Sequence, residues 1–150
     1  MTTATPAQAP RSALLAKAKN VVAVASGKGG VGKTWFSITL SHALARAGRK
    51  TLLFDGDLGL ANVDIQLGLT PDRDLGGVIT GRIGLMQAAT RYEEGGFDIV
   101  AGRSGTGSLA TLPAQRLAQL GSEIVDVAKQ YDQVVLDLGA GLDQIGRAHV

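Results

Sequence analysis

Cysteine is missing from all 150 residues. Disulfides, thiolate metal sites and cysteine nucleophiles are therefore excluded. Charge of one sign is barely in excess: 15 basic and 13 acidic residues leave +2, too slight a bias to grip a nucleic-acid backbone. No direct nucleic-acid partner is expected. No apolar run approaches the roughly 20 residues of a membrane-spanning helix, and the N-terminus lacks the continuous apolar core of a signal peptide. A cytoplasmic location is the default expectation. What is present is an ordinary globular balance, 45% hydrophobic and 19% charged, in a length that suits one domain. There is no internal repeat.

Met1 to about Asn20 is rich in Ala, Thr, Pro and Gln and is expected to be a flexible leader (residues 1–20), ending in a helical turn around Ser12–Lys19. Asn20–Ser26 is a β-branched run ending in glycines, the pattern of a buried strand. From Lys33 to about Ala47 the spacing turns helical, with Phe36, Leu40 and Leu44 on one face, and Gly48 stops the helix. Thr51–Asp55, Phe97–Ala101 and Gln133–Asp137 are three more short strands. Pro113 opens a helix whose Leu117, Leu120, Ile124 and Val127 form an apolar stripe. Between Leu58 and Glu94 only Asn62–Leu67 and Leu75–Ile79 read as short helices, and Gly102–Gly107 reads as a loop. Buried strands alternating with amphipathic helices predict an α/β fold with a doubly wound, mainly parallel sheet and helices on both faces. Ligands in such sheets lie beyond the carboxyl ends of the strands.

Gly27-Lys-Gly-Gly-Val-Gly-Lys-Thr34 follows a strand and opens a helix. Gly27-x-x-x-x-Gly32-Lys33-Thr34 is the full phosphate-binding P-loop pattern. Its glycines let several backbone N–H groups converge on one anion, and the positive end of the next helix adds to that field. In this reading Lys33 holds the β- and γ-phosphates and Thr34 ligates Mg²⁺. Gly27-x-Gly29-x-x-Gly32 also spells a dinucleotide fingerprint, with Asp55 where a ribose-binding acid would sit. That alternative leaves Lys33, Thr34 and Asp137 without a role.

Asp137 ends Val134-Val-Leu-Asp, where an acid reaches Mg²⁺ opposite Thr34, usually through water; the bland alternative is a strand-end cap. Gly139-Ala-Gly141 follows, leaving backbone room beside a γ-phosphate. Asp55 and Asp57 stand two apart at the end of a strand, an arrangement that points both carboxylates the same way. Asp57, further out, is favoured to orient attacking water; the alternative is a solvated turn. Lys28 is either a second cation for transition-state charge or a plain surface lysine. Trp35 either packs beneath the loop or stacks near a nucleotide, with packing favoured. His42 is expected to be a surface or partly buried polar residue.

Ser26–Thr34 resembles the deviant Walker A motif of the MinD/ParA family of P-loop ATPases. Phe54-Asp-Gly-Asp-Leu-Gly-Leu-Ala-Asn-Val-Asp-Ile-Gln-Leu-Gly68 is similar to the first switch segment of that family's MinD and FlhG (FleN, YlxH) branch, and Tyr131-Asp-x-x-x-x-Asp137-Leu-Gly-Ala-Gly141 to its second, with the FlhG side favoured. The resemblance covers residues 21 to about 144. It implies Mg-ATP binding and hydrolysis by a homodimer in which Lys28 reaches the partner's nucleotide. The implied nucleotide contacts are Gly27, Lys28, Gly29, Gly30, Val31, Gly32, Lys33, Thr34, Trp35 and Gly139. Thr34, Asp57 and Asp137 lie toward the metal, and Lys28, Lys33 and Asp57 carry the chemistry. For the FlhG side the resemblance implies control of flagellar number and placement through an FlhF-like GTPase at the membrane, and for MinD choice of the division site. A ParA-like partitioning ATPase and a non-hydrolysing ATP-binding scaffold are the alternatives. Iron–sulfur carriers of similar loop need a cysteine pair, and the related tyrosine kinases need a tyrosine cluster. Here there is no cysteine, and the tyrosines are Tyr92 and Tyr131 alone.

Three departures qualify what is carried over. Trp35 stands where many members have a small polar residue, which puts the α-phosphate contact in doubt. The leader's Ala7-Gln-Ala-Pro-Arg11 lacks the Asp-Gln-Ala-x-x-Leu-Arg motif by which some FlhG proteins stimulate FlhF, so that activity is not implied. Ile145-Gly-Arg-Ala-His-Val150 matches one reading frame of a common sequencing adapter. The expected organisation is a leader (1–20), the N-terminal part of a P-loop ATPase domain (21–144) and a non-native tail (145–150) in which His149 has no role. A P-loop strand without a further neighbour would then be an open sheet edge, prone to aggregate.

Overall fold

The computed structural model describes residues 20–26, 32–104 and 111–138. The expected leader helix, the loop residues Gly27 to Val31 and everything from Gly139 onward lie outside them. The described strands are β1 (Val21–Val24), β2 (Thr51–Asp55), β3 (Ala89–Tyr92), β4 (Phe97–Val100) and β5 (Gln133–Asp137). The helices are α1 (Lys33–Arg46), α2 (Val63–Leu67), α3 (Leu75–Ile79), α4 (Leu85–Ala88) and α5 (Ala114–Ala128). The sheet order is β1-β5-β2-β4-β3, parallel throughout except for β3, which runs antiparallel to β4.

Alternation along the central strands divides the core into two layers. Leu52, Phe54, Val134 and Leu136 face α5, where Leu120, Ile124 and Val127 bury their stripe. Leu53, Val135, Ile99 and Phe97 face the other way and pack with Ile38, Leu40 and Leu44 of α1. Both faces of β2 are covered, and all five of its residues are buried. Each large apolar side chain fully withdrawn in this way contributes roughly 1.5–3 kcal/mol.

The structure corrects four expectations. β1 is not a buried strand: among the described residues it pairs with β5 alone, and Val22 is 42% exposed. The cause is the seat of α1, which lies over β5 and β2 and leaves the outer strand uncovered. The buried face of α1 is also different. Ser37 and Ser41 point inward while Phe36 is 53% exposed; small side chains there let the helix approach the sheet. The stretch before β4 holds α4 and β3, neither of which was anticipated. Residues Ala89–Tyr92 reach the sheet through the tight Glu93–Gly96 turn. Finally, β2 ends at Asp55 as its run predicts and Asp57 lies in the following loop, so strand alternation does not point the two carboxylates the same way. His42 is partly buried as expected, edge-on to the rings of Tyr92 and Phe97. No described helix is long and apolar enough to cross a membrane.

Candidate functional site

The carboxyl ends of β1, β5 and β2 lie side by side, and the N-terminus of α1 opens above them. Gly32 is the residue before α1, with φ +76°. A Cβ there would meet nothing within 4 Å, so backbone geometry rather than space demands glycine. Among the described residues no side chain caps this helix, and no acid sits in its first turn, which leaves its positive end for another anion. Lys33 and Thr34 are half-buried at that end, and Lys33 Nζ lies 3.4 Å from Ser26 Oγ at the exit of β1.

Asp55 and Asp137 are partners in the β2–β5 register, and each is 1% exposed. Register partners in parallel strands share a face, here the face covered by α1. Burial raises the pKa of Asp137; the hydroxyls of Thr34 and Ser37 pull it back, the charge of Asp57 raises it further and Lys33 lowers it. Ser37 Oγ nevertheless makes no well-formed hydrogen bond, and Asp137 Oδ2 likewise has no partner. Two buried polar atoms left unsatisfied at one spot are costly unless a further group completes them. A hydrated divalent cation fits: a carboxylate oxygen, a hydroxyl and water are its preferred donors. Among the described residues no three His, Cys, Asp or Glu side chains form a ready metal cage.

Asp55 behaves differently. Burial pushes its carboxyl up to about 7. Backbone N–H groups of Val63 and Asp57 oppose the shift, while the charges of Asp137 and Asp57 add to it. Its oxygens accept from the amides of Asp57, Asn62 and Val63 at 3.1–3.2 Å, so it is saturated from within the fold. Asp57 is half-exposed, and its Oδ1 accepts from Leu60 N at 3.1 Å.

The structure thus brings together Gly32, Lys33, Thr34, Asp57 and Asp137 of the anticipated site. Gly27, Lys28, Gly29, Gly30, Val31 and Gly139 fall outside the described residues. The expectation that Trp35 packs beneath the loop is overturned: it is 67% exposed, on the outer side of the first helical turn. Ser37 was missed; a small polar residue one turn beyond Lys33 and Thr34, on the inward face, was the available signal. Ser26, in reach of Lys33, was quoted only as part of a motif.

The profile of the CobQ/CobB/MinD/ParA nucleotide binding domain matches residues 22–148. The antiactivator FleN of Pseudomonas aeruginosa is 47% identical over 122 residues, 81% of this chain and 43% of that protein. The flagellum site-determining protein YlxH of Helicobacter pylori is 34% identical over 122 residues, 81% of this chain and 41% of that protein. Among solved structures, the septum site-determining protein MinD of Pyrococcus horikoshii, complexed with Mg-ADP, superposes with a TM-score of 0.68 at 30% identity. That match covers 82% of this chain and 50% of MinD. The chain therefore spans about half the length of the relatives it matches. Its fold is that of the α/β P-loop nucleotide-binding proteins, and the chain belongs to the CobQ/CobB/MinD/ParA nucleotide-binding family.

Proposed function

We propose that this chain is the nucleotide-binding part of a Mg-ATP-dependent switch ATPase that acts in flagellar or division-site placement, on the FlhG side of the family. The observation that carries this reading is the buried, unpartnered Asp137 Oδ2 beside Thr34, at the end of the strand next to the P-loop strand. Packing alone has no use for a buried carboxylate oxygen without a partner there. Bound Mg²⁺ would neutralise charge on the phosphates and fix their geometry. Thr34 and Asp137 would hold it, Asp137 through water. Lys33 would hold the terminal phosphates on the amides of the loop and of the first turn of α1. Asp57, half-exposed on its loop, would orient the attacking water. Lys28 would reach across an ATP-dependent homodimer, and Gly139 would lie beside the γ-phosphate. In a full-length protein, an FlhF-like GTPase and peripheral attachment at the cytoplasmic face of the inner membrane complete the proposal.

Calorimetry of Mg-ATP binding to a full-length protein carrying this sequence, with Lys33→Ala beside it, is the direct test. Binding at micromolar strength, lost in the variant, is expected; indifference of the wild type to Mg-ATP refutes the proposal. Phosphate release then separates a switch from a scaffold. Asp57→Ala should keep binding and lose turnover. A wild type that binds but never turns over is a scaffold.

A further inference from the structure

The segment from Asp57 to Val63 is not an ordinary surface loop. From below, Asp55 grips it at both ends: Oδ1 accepts from Asp57 N at 3.1 Å, and Oδ2 accepts from Asn62 N and Val63 N at 3.2 Å each. From the side, the stretch after β4 holds the residue just before its far end, where Ser104 Oγ donates to the Ala61 carbonyl at 2.8 Å. Gly102 makes that approach possible. A Cβ on Gly102 would stand 2.6 Å from Ala61 Cβ, 3.0 Å from Asp55 Cγ and 3.1 Å from the Asp55 carbonyl oxygen. The stretch is itself anchored, since Ala101 O accepts from Leu75 N at 2.8 Å and Arg103 pairs with Asp74 at 3.6 Å. Among the described residues the Asp57 carboxylate is fixed from within the segment, by Leu60 N at 3.1 Å. Its aim therefore follows the shape of the whole arc.

We propose that Ser104 and Gly102, together with Asp55, are positioning residues for Asp57: they latch residues 57–63 into one preformed arc that sets the direction of the Asp57 carboxylate. This rests on the ATPase reading, in which Asp57 orients water. None of the three latch residues needs to touch nucleotide, so loss of the latch slows turnover and spares binding. Ser104 is the cleanest probe, because it offers one hydroxyl, bonds the arc directly and lies outside the phosphate-binding residues.

The experiment uses a full-length protein carrying this sequence, with Ser104→Ala, Ser104→Thr and Gly102→Ala. Two quantities are read: kcat and KM for Mg-ATP, and amide hydrogen exchange at Asn62 and Val63 without nucleotide. Ser104→Ala removes one hydrogen bond, so kcat should fall about three- to tenfold and the two amides should exchange faster by a similar factor. KM should stay within about twofold, since uniform binding is untouched. Ser104→Thr keeps the hydroxyl and should restore both readings, whereas Gly102→Ala forces Ala61 away and should change both further. Unchanged exchange at Asn62 and Val63 in Ser104→Ala overturns the latch, as does a raised KM with kcat intact. The exchange reading needs no turnover. A wild type that fails to hydrolyse ATP therefore sinks the ATPase reading separately from the latch.

Discussion

Replacing Asp137 by asparagine should make the nucleotide-free protein more stable and weaken the stabilisation that bound nucleotide adds. Asp137 is 1% exposed, its Oδ2 has no hydrogen-bond partner, and burial raises its pKa. Leaving such an acceptor unsatisfied costs about 1–3 kcal/mol. Asparagine keeps the volume and one acceptor while removing the charge, so a gain of about 1–2 kcal/mol is expected at pH 8, or about 3–6 °C in Tm for a domain of this size. The pH dependence has a definite sign. A carboxyl whose folded pKa is raised contributes its stability below its ordinary value of 3.8 and loses it as pH climbs through the raised value. The advantage of Asp137→Asn should therefore vanish toward pH 4 and grow as pH rises. With Mg-ADP present that advantage should shrink toward zero, because an amide cannot offer the negative charge that holds the hydrated cation; a tenfold loss of affinity is about 1.4 kcal/mol. Thermal unfolding followed by circular dichroism, at both pH values and with and without Mg-ADP, reads all four combinations. A variant less stable than wild type at pH 8 without nucleotide, or one that Mg-ADP stabilises equally, refutes the reasoning.

Other consequences follow from particular residues. Phe97 is fully buried and meets the rings of Tyr92 and His42, so Phe97→Ala should cost about 3–5 kcal/mol in urea unfolding; a loss under about 1 kcal/mol contradicts the packing. Trp35 is the single tryptophan and is 67% exposed. Its emission should shift to the blue and resist acrylamide when Mg-ATP binds, and an unchanged spectrum removes Trp35 from the nucleotide site. Among the described residues Val22 lies on the outermost strand, at 42% exposure. Val22→Lys should reduce self-association of this polypeptide in sedimentation, since a charge on an open edge opposes strand pairing; equal association places the contact elsewhere.

The parts of the fold that were legible in the residues are those whose environment imposes a strict pattern. β2, β4 and β5 have runs such as Leu52-Leu-Phe54 and Val134-Val-Leu136 because both of their faces are covered. The stripe of α5 recurs at helical spacing because one side alone meets the sheet. The phosphate loop was legible for a chemical reason: Lys33 and Thr34 after a glycine turn have no packing role. β3 was not legible. Ala89–Tyr92 has no alternation and becomes a strand only by lying against β4, and the sole local hint was Glu93-Glu-Gly-Gly96 between two aromatic residues. The orientation of α1 was misread because Phe36 is the larger side chain, while the tight seat on the sheet selects Ser37 and Ser41.

Within the site, chain order alone determined which groups are available: an ammonium, a hydroxyl and two acids at strand ends. Tertiary structure alone decided how many partners each of them already has. Asp55 and Asp57 look equivalent as letters, yet Asp55 is spent on three amides and Asp57 is left to face solvent. Asp137 acquires its unsatisfied oxygen only when β5 lies between β1 and β2 with α1 above it. Local spacing sets what a residue is able to do; how much water and how many partners remain beside it depends on segments dozens of residues away.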